Sequence, residues 1–337
     1  MSNVSRVIAL IGLALILWVG WMMTDAIRHA APPGPVPLPE IVSDGGYPIE
    51  IRQPFGGGTL TIERPPMRIL PGNAGAVDLL TILVEPSRLA ALPDTTDDWS
   101  RIHAAPEGYE EHHRFESFTA EILLSHDPDL VVTSPFNQPD TIRRLEDAGV
   151  AVLRLPDLFD VDAVCEVLEL LGRVLDVEDT AQARIEDIRE RESRLLARHE
   201  GRPSLRAVAY MNYGFGGTAS GSRTTHDEVF RLAGLRNAVA EAGHVEMIKV
   251  NFEDLIALDP DLIVVSHRED GGTGVTEDVL LGEPSLQGLR AVRGRRIVSI
   301  PARLFSTVSQ EIIAGAERLA DAVDRLDAPD DDEGDPR

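Results

Sequence analysis

Leu123-Leu-Ser-His-Asp-Pro-Asp-Leu-Val-Val-Thr-Ser134 and Leu255-Ile-Ala-Leu-Asp-Pro-Asp-Leu-Ile-Val-Val-Ser266 follow one pattern. In each, an apolar helix end meets Asp-Pro-Asp, where proline stops the helix, and a short apolar run follows. A run without polar alternation is a strand covered on both faces, as in a parallel sheet between helices. Its recurrence predicts two similar α/β halves.

The pattern extends outward from both copies. Before the first, Ile49 to Arg52 and Thr59 to Glu63 flank Gly56-Gly57-Gly58 and predict a hairpin. Arg68 to Leu70 is a strand entering the loop Pro71-Gly72-Asn73, and Ala76 to Val84 is a helix. Leu89 to Leu92 is a short strand, and Thr119 to Ser125 is helical. Pro139 to Ala148 is a helix ended by Gly149, and Val150 to Leu155 is another strand. Around the second copy, Arg206 to Met211 is a strand followed by a glycine-rich loop, Asn212 to Gly217. Thr225 to Ala233 and Phe252 to Leu258 are helices, Arg296 to Ile300 is the last strand, and Ser309 to Leu326 is a terminal helix. Between the halves, Val161, Val164, Leu168, Leu171 and Leu175 form one amphipathic stripe. Ala181, Ile185, Ile188, Leu195 and Leu196 form a second. The fold class expected is therefore α/β: two lobes, each a mostly parallel sheet flanked by helices, bridged by a long rigid helical segment. The boundaries expected are a first lobe over 47–157, a bridge over 158–200 and a second lobe over 201–326.

Val7 to Met23 is an uncharged apolar run of 17 residues preceded by Arg6. Residues 1–26 thus predict a cleaved signal peptide or a retained membrane anchor; either carries the rest across the membrane. No cysteine follows the run, so a lipid-modified anchor is not expected. Residues 27–46, rich in proline, predict a linker. Residues 327–337, with six acids in eleven positions, predict a disordered tail. The expected location is the periplasm or the outer face of the cytoplasmic membrane, with membrane association only through the N-terminal segment.

The 337 residues hold 56 acids and 32 bases, a net charge of −24, which argues against a partner bound through phosphate backbones. Lys249 is the only lysine, a bias that either GC-rich coding or a salt-adapted surface produces. Cys165 is the only cysteine, which excludes an intrachain disulfide and a CxxC pair, and its place on an apolar stripe predicts a buried hydrophobe. The histidines His103, His112, His113, His126, His226, His244 and His267 are scattered or in polar loops, and predict no metal centre. The segment Gly214 to Gly221 lacks the GxxxxGK[ST] phosphate pattern. Ser220 and Ser222 lack the setting of a hydrolase nucleophile. No catalytic residues and no cofactor are expected.

In order along the chain, these segments resemble the extracytoplasmic substrate-binding proteins of ABC importers, in the subgroup bridged by a rigid helix. The resemblance is carried by Tyr47-Pro-Ile-Glu-Ile51 with Thr61 to Ile69, His126 to Val132, His226 to Asn237, Asp259 to Val265 and Leu286 to Val298. It implies a non-enzymatic protein, a monomer, that captures a metal chelate of the siderophore, haem or cobalamin type between its lobes. Its partners would be an ABC permease and its ATPase. An envelope enzyme, or an anchored sensor or scaffold, is the alternative for the same bilobal layout. Parallel sheets place ligands beyond the C-terminal ends of their strands. The loops there nominate Asn73, Trp99, Arg101, Phe136 and Asn137 in the first half. In the second they nominate Tyr213, Phe215, His267, Arg268, Arg303 and Phe305. The family's docking pattern, one acid per lobe facing permease arginines, falls on Asp78 and Glu228.

Overall fold

The computed structural model describes residues 37–327, apart from 44, 55–57, 136, 213–215 and 268–273. The expected leader, most of the linker, the acidic tail, Phe136, Tyr213, Phe215 and Arg268 lie outside the described residues. Among the described residues no helix is long and apolar enough to cross a membrane.

The first lobe opens with strands β1 (Glu40–Ile41), β2 (Ile49–Arg52) and β3 (Thr59–Ile62), an antiparallel sheet containing the expected hairpin. Then follow β4 (Ile69–Pro71), α1 (Ala74–Thr81), β5 (Leu92–Pro93), α2 (Thr96–Trp99), β6 (Arg114–Phe115), α3 (Ala120–Leu124), β7 (Leu130–Thr133), α4 (Pro139–Asp147) and β8 (Ala151–Arg154). Strands β4, β7 and β8 form a fully parallel sheet. The bridge comprises α5 (Val161–Leu175) and α6 (Glu178–His199).

The second lobe runs β9 (Arg206–Asn212), β10 (Gly217–Ser220), α7 (Thr225–Leu232), β11 (Arg236–Asn237), α8 (Ala238–Glu241), β12 (Met247–Val250), α9 (Phe252–Leu258) and β13 (Leu262–His267). It ends with α10 (Gly274–Gly282), α11 (Arg290–Arg293), β14 (Ile297–Pro301), α12 (Ala302–Phe305) and α13 (Glu311–Asp327). Strands β9, β13 and β14 are parallel, and β10 and β12 extend the sheet antiparallel. This antiparallel edge lies in sequence that reads as loop, because Gly217 and Gly221 punctuate it.

The repeated motif has one structure in both lobes. Asp127 and Asp259 each sit in the left-handed region, at φ 49° and 37°, where the helix ends. Two residues on, an aspartate carboxylate accepts from the start of the neighbouring strand: Asp129 from the Arg68 amide at 2.9 Å, Asp261 from the Arg206 amide at 2.9 Å. The side chains of Arg68 and Arg206 donate back to the carbonyls of Asp127 and Leu258. The repeat thus sets strand register, Leu130 beside Ile69 and Leu262 beside Ala207.

The bridge is helical, as the spacing predicts, and it folds back on itself. Asp176 takes φ 58°, ending α5, and α6 then packs along α5. A Cβ on Gly172 would lie 2.6 Å from the Ala181 Cβ, so only glycine permits this approach. Asp162 pairs with Arg189 at 2.6 Å at the far end of the hairpin. The apolar stripes of both helices join a core that runs through both lobes. Leu130 and Val132 of β7 share it with Leu168 and Leu171 of α5, and with Leu262 and Val264 of β13. The alternate residues face outward into separate cores, Val131 in the first lobe and Ile263 and Val265 in the second.

Candidate functional site

A cavity of about 500 Å³ opens between the lobes, of the size that holds a small ligand. Its first wall is Trp99, at the end of α2, with Asp157, Leu158 and Phe159 from the loop between β8 and α5. The second wall is Met211 near the end of β9, Arg223 to His226 at the entry and first turn of α7, and Glu246 with Met247 at the start of β12. Ser306 and Val308, after α12, close the base. Val308 packs where a Cβ on Gly75 would lie, 2.7 Å from its Cγ2, so the lobes touch there.

The second wall is stiff. Gly221 and Ser222 exchange backbone hydrogen bonds of 2.7–3.0 Å with His244 and Glu246, and this holds Arg223 and Glu246 at φ 58° and 63°. Non-glycine residues held left-handed cost about 1 kcal/mol or more each, and such residues cluster at ligand sites. From there the Arg223 guanidinium reaches across to the Phe159 ring, 5.5 Å from its centroid, and stands 3.9 Å from the Glu246 carboxylate. Burial, then the charge of Glu246, pushes the Asp157 carboxyl above its ordinary pKa.

His226 is buried behind this turn. Its Nδ1 lies 2.9 Å from Ser220 Oγ, and its ring meets Phe305 edge-on at 4.4 Å. Burial lowers its pKa to about 4, so the imidazole is neutral at physiological pH. Its Nε2 and the Oγ of Ser306 find no hydrogen-bond partner among the described residues, although both residues line the cavity. Both atoms are themselves closed off from solvent, so they lie behind the cavity surface rather than on it. Among the described residues no three metal-ligating side chains gather at one point.

Of the expected cleft residues, Trp99 lines the cavity. Asn73 and Asn137 come together, but as fasteners of the β4 and β7 loops. Asn73 caps α1 through the Ala76 amide at 3.0 Å and donates to Ser134; Asn137 accepts from the Ser134 amide and donates to the Gly72 carbonyl at 2.8 Å. Arg101 turns to the seam between lobes and pairs with Glu311 at 3.4 Å. His267 bonds Ser299 at 2.8 Å, away from the cavity lining. Arg303 is half-buried on α12. Phe305 is 1% exposed and supports His226 and Phe230 from behind.

The expected docking acids are both buried. Asp78 is 0% exposed and accepts from Ser100 Oγ, the Arg101 amide and, across the seam, Ser309 Oγ, at 2.6, 2.8 and 3.0 Å. The side chain of Glu228 is 8% exposed; it is gripped by Arg231 through two bonds of 2.7 Å and accepts from the Val161 amide. Each ties elements of the fold together from within. Conversely, Phe159 and its neighbours follow a strand end, the same signal that nominated Trp99, and went unnamed. Arg223, His226, Glu246 and Met247 were hidden because the antiparallel edge that presents them carries no clear strand pattern.

The family model for periplasmic binding proteins matches residues 80–304. A cobalamin-binding protein of Halobacterium salinarum is 23% identical over 203 residues, 60% of this chain; the match spans 55% of that relative's length. The crystal structure of an ABC-type Fe3+-hydroxamate transport system from Saccharomonospora viridis superposes with a TM-score of 0.65 at 22% identity, covering 82% of this chain and 99% of that one. A periplasmic heme binding protein from Pseudomonas aeruginosa gives 0.64 at 25% identity, covering 76% and 92%. With two lobes, a helical bridge and an interlobe cavity already described, the match over 80–304 settles the relationship: the chain belongs to the periplasmic binding protein family.

Proposed function

We propose that this protein captures a metal chelate of the siderophore, haem or cobalamin class in the interlobe cavity, outside the cytoplasm, and delivers it to an ABC permease and its ATPase. The observation that carries the reading is the cavity itself, whose aromatic and thioether side chains Trp99, Phe159, Met211 and Met247 suit a flat or macrocyclic face. Membership of a binding-protein family and the names of the relatives support it. Capture is reversible enclosure, without covalent chemistry, by a monomer whose only membrane contact is the N-terminal segment, cleaved or retained. The shared core holds the lobes at nearly fixed separation, so the cavity is preformed and little ordering opposes binding.

A ligand bound only by the native state raises stability by about 2.7 kcal/mol at one hundred times Kd. The thermal midpoint of the full chain is therefore expected to rise by several degrees with at least one of cyanocobalamin, ferrioxamine B or haemin. No rise with any of them removes the reading.

A further inference from the structure

The charge around the cavity narrows the ligand, on the reading that the cavity captures a chelate. Among the described lining residues Asp157, Glu246 and Arg223 carry charge at neutral pH, and His226 is neutral. The one cation is already engaged, by Glu246 at 3.9 Å and by the Phe159 ring at 5.5 Å. Asp157, half-buried on the opposite wall, has no ion pair with a cation among the described residues. The described lining thus carries two acids against one base, and the whole chain stands at −24.

We infer that the cavity selects metal complexes whose outer edge is uncharged or cationic, edged by amides or hydroxamates, and rejects those edged by free carboxylates. A carboxylate brought in would lose water and meet Asp157 and Glu246, while Arg223, the one guanidinium of the described lining, already faces Glu246 and the Phe159 ring. An amide or hydroxamate edge carries no charge, so it meets no such repulsion and needs no cation to receive it. Trp99, Phe159, Met211 and Met247 cover the apolar body of such a complex. Burial first, then Glu246, raises the Asp157 pKa, with Arg223 opposing them.

The test is calorimetric titration of the full chain with four probes: cyanocobalamin, its monocarboxylate in which one peripheral amide is hydrolysed, ferrioxamine B and haemin. The uncharged or cationic member of the set is expected to bind at least about tenfold more tightly than the carboxylate-bearing ones, the size expected for one extra charge at a partly solvated site. The double variant Asp157→Asn, Glu246→Gln is expected to shrink that gap by about tenfold; an unchanged gap overturns the charge mechanism. If haemin or the monocarboxylate binds as tightly as the neutral probes, the selectivity inference falls while capture stands. If none of the four binds, both fall.

Discussion

Asp78 is the residue on which sequence and structure differ most. Its acidity is plain in the sequence, whereas its burial depends on Ser309, a residue from the far end of the chain. Burial outweighs three hydrogen bonds and pushes its carboxyl up to about 7 from 3.8. The native state thus keeps a proton that the unfolded chain releases. Its stabilising effect is full below pH 4 and lost as pH rises through 7, by about 4 kcal/mol at most. The groups facing Asp78 include Glu311 and Arg101, whose own pairing at 3.4 Å spans the same seam. Denaturant titrations at several pH values are expected to show the wild type losing stability relative to Asp78→Asn between pH 4 and 7. A constant difference across that window contradicts the assignment. Glu228 follows the same lesson, since Arg231 three residues on is visible in sequence, but the Val161 amide that completes its cage is not.

At the scale of elements, most of the architecture was legible. The Asp-Pro-Asp repeat located two equivalent strands, and the two stripes of the bridge located two helices. What escaped was the fold-back between them. No glycine or proline marks it; Asp176 turns left-handed, and Gly172, four residues earlier, makes room for Ala181. Replacing Gly172 by valine forces the helices apart and is expected to cost about 2 kcal/mol or more, as overpacking does. A denaturation midpoint unchanged from wild type would show that the hairpin contact is looser than its geometry. The antiparallel edge of β10 and β12 was missed for a related reason: its short segments are interrupted by glycines and take their order from β9, which lies earlier in the chain. That edge presents half of the cavity, so the residues least readable in sequence are among those that line it.

At the scale of the whole molecule, one core passes through both lobes and the helical hairpin, and the seam is closed by Asp78 with Ser309 and by Gly75 with Val308. Binding on this frame is enclosure by walls that are already in place. The proposed capture draws its energy from the apolar faces of Trp99 and Phe159 that line the cavity. The most direct test is calorimetry on the full chain with cyanocobalamin, ferrioxamine B and haemin, repeated with the double variant Trp99→Ala, Phe159→Ala. One of the three is expected to bind the wild type at one ligand per chain, and the variant, its first wall removed, at least about tenfold more weakly. Undiminished binding by the variant, or binding of none of the three, contradicts the cavity between the lobes as the site of capture.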